Sequence, residues 1–215
     1  MNHPERILFI DTETTGLDPY NDEIISLAIV DGNGETVFYD YIRPEKRRRW
    51  PKATEVNGIT WKDVENKKTL MDLEPELGPV FANARKIVGY NVDFDIRFLK
   101  QAGVPLDHAE TFCVMREFSS IYGEWSEWKQ DHKWMKLSEC ADHYGFKFKA
   151  HDALEDAKVT RNCYARLMKD PNYLRKNGQA PESKKQAEEE SGGCGTGCMV
   201  GVVVLLLLIV FVLLF

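Results

Sequence analysis

The unbroken apolar run Ile7-Leu8-Phe9-Ile10, followed at once by Asp11 and Glu13, is the tightest constraint in this sequence. Four consecutive β-favouring apolar residues without polar alternation describe a strand covered on both faces, at the centre of a sheet. In extended chain, residues two apart project to one face, so Asp11 and Glu13 leave the end of that strand together. Burying such a pair is costly unless a cation is present. The carboxyl ends of strands in an α/β sheet are also where ligands bind. A bare Asp-x-Glu ends many solvated strands as well, so the rest of the sequence must decide what the pair does.

The next segments extend the sheet. Residues 23–30 read as a second strand, Asp31-Gly32-Asn33-Gly34 as a hairpin turn and residues 36–42 as a third strand, giving three consecutive antiparallel strands. Leu70, Leu73, Leu77, Val80 and Phe81 recur at helical spacing, and residues 86–89 read as another short strand. Residues 93–102 predict a helix with Phe94, Phe98 and Leu99 on one face, stopped at Gly103-Val104-Pro105. Leu137, Cys140 and Ala141 suit a helix ending near Gly145, and residues 153–168 give the last long one. Strands first and helices interleaved afterwards place the chain in the α/β class, a mixed sheet with helices packed on it.

Composition narrows the function. With 34 Asp and Glu against 28 Lys and Arg, the net charge of −6 argues against a broad cationic face that grips nucleic acid through many phosphates. It leaves room for an enzyme that handles one strand end with the help of metal ions. Cys113, Cys140 and Cys163 read as reduced core residues, because a domain of this size needs no disulfides. The start MNHPERILFID has no export signal, so the body is expected in the cytoplasm.

From Asp170 the chemistry changes. Pro171, Asn172, Gly178 and Pro181 read as helix breakers, and residues 182–190 are almost entirely charged or polar. The division is therefore a catalytic-type domain over 1–170, a charged and Gly-rich linker over 171–194, and a membrane-spanning tail over 195–215. Met199 to Phe215 carries no charged residue and sits at the lower limit for spanning a bilayer core of about 30 Å; Gly195 to Cys198 lengthen it to a comfortable span. The expectation is a C-terminal transmembrane helix that anchors a cytoplasmic domain, with Cys194 and Cys198 as candidate acylation sites.

Further acids stand at helix starts. Asn91-Val92-Asp93-Phe94-Asp95 opens one helix, and His151 lies five positions before Asp156 at the start of the last. Clustered carboxylates suit Mg²⁺ or Mn²⁺, and an imidazole with a pKa near 6.5 can accept a proton from water.

Residues 9–19, 89–99 and 151–156 resemble the three motifs of the DEDDh 3′→5′ exonuclease family, which includes the proofreading subunit of bacterial DNA polymerase III. The resemblance runs from Ile7 to Met168 and implies an RNase H-like fold with a mixed five-stranded sheet and flanking helices. It implies that Asp11, Glu13, Asp95 and Asp156 hold two divalent metal ions, Mg²⁺ or Mn²⁺, with His151 as general base. Asp95 rather than Asp93 takes the role, because the family carboxylate follows Phe in the pattern Asn-x-x-Phe-Asp. The implied reaction releases nucleoside 5′-monophosphates from the 3′ end of DNA. RNA as substrate and a non-catalytic, membrane-anchored binding module are the alternatives.

The resemblance also assigns substrate contacts to Thr14, Thr15, Gly16 and Leu17, for which a plain tight turn is the competing reading. It assigns another to Asn57, where the family tends to carry His in His-Gly-Ile-Thr. Implied partners are nucleic acid 3′ ends and a DNA polymerase, with the membrane added by the tail. Lys46-Arg47-Arg48-Arg49-Trp50 reads either as a phosphate contact with Trp50 stacked on a base or as a solvated loop. Trp125, Trp128 and Trp134 lie among charges that keep them partly exposed, and they read as a substrate entrance, a partner surface or core packing beneath a loop, the last being favoured.

Overall fold

A computed structural model describes residues 6–179. The expected linker beyond Gln179 and the expected 195–215 tail lie outside the described residues. Among the described residues no helix is long and apolar enough to cross a membrane.

The apolar run becomes β1 (Ile7–Thr14), with Leu8, Phe9 and Ile10 buried. It pairs antiparallel with β2 (Ile24–Asp31), which pairs antiparallel with β3 (Thr36–Tyr41). At the turn between these two, Asp31 Oδ1 accepts the N–H groups of Asn33 and Glu35 at 2.9 Å each, and Gly34 supplies the left-handed residue at φ 96°. The three antiparallel strands expected from the sequence are therefore present.

The basic run Lys46-Arg47-Arg48-Arg49-Trp50 follows, read in one alternative as a solvated loop. The chain next forms α1 (Pro51–Asn57) and α2 (Trp61–Val64), then α3 (Glu74–Ala82) on the Leu77 and Phe81 stripe. β4 (Lys86–Gly89) runs parallel to β1, α4 (Val92–Gln101) follows it, and β5 (Glu110–Cys113) runs parallel to β4. The sheet order β3-β2-β1-β4-β5 puts β1 in the middle of a mixed five-stranded sheet. After β5 come α5 (Val114–Tyr122), a small hairpin of β6 (Trp125–Ser126) and β7 (Asp131–His132), α6 (Leu137–His143), α7 (Ala153–Leu167) and α8 (Pro171–Lys176).

Strand alternation assigns the layers. Phe9 meets Tyr164 of α7 edge to face at 5.3 Å, whereas Thr12 hydrogen-bonds Asp95 of α4. Odd and even residues of β1 point to opposite faces, so α7 and α4 cover the sheet from opposite sides. Both helices begin at the carboxyl end of β1, and their N-terminal turns carry Asp156 and Asp95.

Several expectations are corrected. Trp50 stacks on no base: it is 4% exposed, packs with Ile25, Ile59 and Val64, and its Nε1–H donates to the Ile59 carbonyl at 2.8 Å. The basic run around it is tied down, with Arg47 Nε 3.3 Å from Asp22 and Arg48 lying over the Trp61 ring. Trp125, Trp128 and Trp134 are not core residues either, being 50%, 89% and 62% exposed. A hairpin with two residues per strand has too little surface to cover three indoles. α7 ends before Pro171, as expected of a helix breaker, but residues 171–176 form α8 where a linker was expected, with Pro171 in its first turn, where its missing N–H costs nothing. Cys113, Cys140 and Cys163 are buried free thiols, as expected.

Asp170 explains why α8 stays with the domain. Its Oδ1 accepts the Asn172 N–H at 2.9 Å, and its Oδ2 accepts the Tyr122 and Tyr144 hydroxyls at 2.7 and 2.9 Å. One 7%-exposed carboxylate thus joins α5, α6 and α8. Asp170→Ala strands two phenolic hydroxyls and removes a helix cap, so it is expected to cost about 2 kcal/mol in urea denaturation, with the fold retained.

Candidate active site

Asp11 and Glu13 leave β1 on the face covered by α7, side by side as the strand period requires. The sheet register places Asp11 beside Ala28 and Glu13 beside Ser26 on β2, so small residues flank both acids. From the opposite side, α4 delivers the buried Asp95, whose Oδ1 accepts the Thr12 N–H at 3.0 Å and the Thr12 hydroxyl at 2.7 Å. Asp93, two residues earlier, instead points outward to an ion pair with Arg116 on α5. The geometry therefore separates the two acids as the family pattern does.

At the start of α7, Asp152 is the N-cap and its Oδ1 accepts the N–H groups of Leu154 and Glu155 at 3.1 Å each. His151 precedes it with φ 68°, a left-handed conformation that lets its N–H reach Asp156 Oδ2 at 3.1 Å. Ligand atoms of Glu13, His151 and Asp156 lie within 4.8 Å of one another.

Electrostatics follow from this crowding. Burial first, and then the charges of Asp95, Asp156 and Glu13, push the Asp11 carboxyl well above the ordinary range. Burial raises Glu13 to about 7 against the lowering hydrogen bond from Asn57. Burial also raises Asp95 to about 7 against the Thr12 bonds, and Asp156 to about 6 against the His151 N–H and charge. Asp156 Oδ1 is buried with no hydrogen-bond partner. An unpartnered carboxylate oxygen among three other acids fits a hard divalent cation, which would satisfy the oxygen and relieve the repulsion.

The turn residues flank this centre. Thr14 Oγ1 donates to the Gly16 carbonyl at 2.5 Å, and Thr15 Oγ1 donates to Asp22 at 3.2 Å. A Cβ on Gly16 would lie 2.3 Å from Asp22 Oδ2, so only glycine lets that carboxylate brace the turn. The turn exposes Leu17, at 81%. Asn57 Nδ2 donates to the Thr14 carbonyl at 3.4 Å and its Oδ1 accepts the Ile59 N–H at 3.0 Å. A cavity of about 330 Å³ opens between Glu13, Ser26, Tyr39, Asn57 and His151.

Thr12, Ser26, Tyr39, Asp22 and Asp152 join the site without having been singled out from the sequence. Asp152 carried a signal, a cap residue directly before an apolar-periodic helix. Tyr39 and Ser26 carried none, because only strand register brings them here.

The family model described as Exonuclease (RNase_T) matches residues 8–164. The chain belongs to this exonuclease family. It is 30% identical over 174 residues to an uncharacterized exonuclease of Escherichia phage 186, covering 75% of this chain and 88% of the phage protein. It is 31% identical over 171 residues to the PolC-type DNA polymerase III of Thermotoga maritima, covering 74% of this chain but 12% of that polymerase. Among solved structures, Exonuclease X in complex with 5′ overhanging duplex DNA aligns at TM-score 0.57 and 21% identity, over 80% of this chain and 93% of that one. Escherichia coli Exonuclease I in complex with a dT13 oligonucleotide aligns at TM-score 0.62 and 20% identity, over 80% and 42%. The chain is thus an exonuclease-family enzyme with the mixed-sheet fold of those nucleases.

The raised carboxyls make stability depend on pH. A carboxyl whose pKa rises on folding holds its proton more tightly in the folded state. Its contribution is full below its unfolded pKa of about 4 and is lost as pH climbs through 6 to 7. In EDTA, melting temperature is therefore expected to fall between pH 5 and pH 8. Asp95→Asn keeps the acceptor for Thr12 and removes one charge, so in EDTA at pH 8 it is expected to melt higher than the unsubstituted protein, with an unfolding free energy greater by roughly 2 to 4 kcal/mol.

Proposed function

We propose that the chain is a metal-dependent 3′→5′ exonuclease that releases nucleoside 5′-monophosphates from DNA. The observation that carries this reading is the convergence of Glu13, His151 and Asp156 within 4.8 Å, beside Asp11 and Asp95. Asp11, Glu13, Asp95 and Asp156 would hold two Mg²⁺ or Mn²⁺ ions. When bound, such ions neutralise the phosphate and lower the pKa of water.

The chain's own groups then have separate tasks. His151 accepts a proton from the attacking water, whose oxygen bonds to phosphorus as the bond from phosphorus to the 3′ oxygen breaks. That oxygen leaves with the shortened strand and takes a proton from solvent. Thr12 fixes Asp95 with two hydrogen bonds, and the Asp156 contact with the His151 N–H sets the imidazole at the rim. The turn around Gly16 and Asn57 would border the terminal nucleotide, and the exposed Leu17 offers it an apolar face. The DNA bound by the structurally similar Exonuclease X and Exonuclease I supports DNA over RNA as substrate.

The test is digestion of 5′-labelled single-stranded DNA and matched RNA by the full chain in detergent, with Mg²⁺ or Mn²⁺. Stepwise shortening from the 3′ end is expected, faster on DNA, and abolished by EDTA or Asp11→Asn. His151→Ala is expected to lower kcat by about 10² to 10⁴. Shortening that survives His151→Ala unchanged would remove that residue from the mechanism.

The membrane anchor is a separate proposal, supported by the uncharged run from Met199 to Phe215. The full chain is expected to sediment with membranes and to be released by detergent but not by salt at about 1 M, where a Debye length of about 3 Å screens surface charges and leaves the burial of an apolar span untouched.

A further inference from the structure

Tyr39 lies on β3, an edge strand, far in sequence from every acid of the site. The register nevertheless sets it in line with Asp11: Asp11 pairs with Ala28 on β2, and Ala28 pairs with Tyr39 on β3. The neighbouring row is Glu13, Ser26 and Tyr41. Ser26 is small, so the space between Glu13 and the two tyrosines stays open as the 330 Å³ cavity. Across that cavity the Tyr39 hydroxyl donates to Asp152 Oδ2 at 3.3 Å.

The segment it reaches needs an anchor. Phe148 packs against the core, and Ala153 is the first buried residue of α7. Between them Lys149, Ala150 and His151 are exposed, and His151 holds φ 68°. A non-glycine residue in the left-handed region persists where its surroundings fix it. Three of the fixing bonds are local to α7, namely His151 N–H to Asp156 and the two N–H groups that the Asp152 cap accepts. Among the described residues, the side-chain hydrogen bond that reaches residues 149–152 from outside α7 is the one from Tyr39. Tyr39 is 36% exposed; its ring stands edge to face with Tyr41 at 6.5 Å, and partial burial with the adjacent Asp152 charge pushes the pKa of its hydroxyl up to about 12.

We propose that Tyr39 is a positioning residue, which holds the His151 imidazole over the acids by clasping Asp152 across the cavity. The inference rests on the proposed role of His151 as general base. Asp152 divides its two oxygens between tasks, Oδ1 capping α7 and Oδ2 receiving Tyr39, so the cap and the clasp are set by one side chain. Loss of the clasp releases the segment ahead of α7 while the helix and the carboxylates stay in place.

The full chain is assayed on single-stranded DNA with Mn²⁺, with the melting temperature of each variant measured alongside. Tyr39→Phe is expected to lower kcat about tenfold with KM within twofold, and to leave melting unchanged. Asp152→Asn is expected to stay within about threefold of the unsubstituted kcat, because its amide oxygen still caps the helix and its N–H still pairs with the Tyr39 oxygen. Adding Tyr39→Phe to Asp152→Ala is expected to change kcat no further. Exchange of the His151 amide, which is hydrogen-bonded to Asp156 and needs no activity to read, is expected to quicken severalfold in Tyr39→Phe.

Unsubstituted kcat in Tyr39→Phe, or a loss carried by KM, overturns the proposal; the second outcome makes Tyr39 a substrate contact. Unchanged exchange overturns the clasp itself. If the unsubstituted chain digests no nucleic acid, the reading of the site fails and the positioning role with it, while exchange still decides whether the clasp holds the segment.

Discussion

Packing several carboxylates around the end of one buried strand is the constraint to which the rest of the structure answers. Negative charges close together in a poorly hydrated site repel one another and resist ionisation, and here Asp11, Glu13, Asp95 and Asp156 are all shifted upward. A fold selected for stability alone would place apolar residues at such positions. The scaffold offsets the cost locally: Thr12 gives Asp95 two hydrogen bonds, the His151 N–H gives Asp156 one, and Asn57 faces Glu13. The unpartnered Asp156 oxygen shows where this local compensation stops and a cation fits.

The remainder of the architecture makes that crowding possible. The central place of β1 buries its apolar residues on both faces and fixes the direction in which the acids leave it. α4 and α7 approach from opposite faces, yet each begins at the same rim, so carboxylates in their first turns converge there and benefit from the helix N-termini. Farther away, Asp170, just beyond the end of α7, joins α5, α6 and α8 through two tyrosine hydroxyls and a cap.

Much of this was legible in one dimension. The apolar run, the Asp31-Gly32-Asn33-Gly34 hairpin and the Phe98 and Leu99 stripe each carry their own periodicity or turn chemistry, so β1 to β3, β4, α4 and α7 sit where the sequence predicts them. α1 was hidden because its seven residues bury no side chain and leave no apolar stripe. Trp50 misled because a tryptophan beside arginines suggests an exposed stacking ring, whereas its indole N–H has a buried carbonyl to satisfy. The hairpin tryptophans are the opposite case, since their neighbouring charges argue for partial exposure and their indoles for packing beneath a loop, and neither says how little structure is available to cover them. Pro171 was read as a breaker because a proline gives the same local signal at a helix start and in a linker.

The sequence by itself determined the site's chemical inventory and the order in which the chain supplies it: Asp11 and Glu13 after a strand, Asp95 in the first turn of one helix, His151 and Asp156 at the start of another. Those are local facts, carried by the two-residue period of a strand and the cap signals of helices. The tertiary structure alone decided which groups meet. Thr12 with Asp95 and Tyr39 with Asp152 are pairs separated by 83 and 113 residues. Their contact depends on strand register and helix docking, which many distant residues set together and no short stretch of sequence encodes.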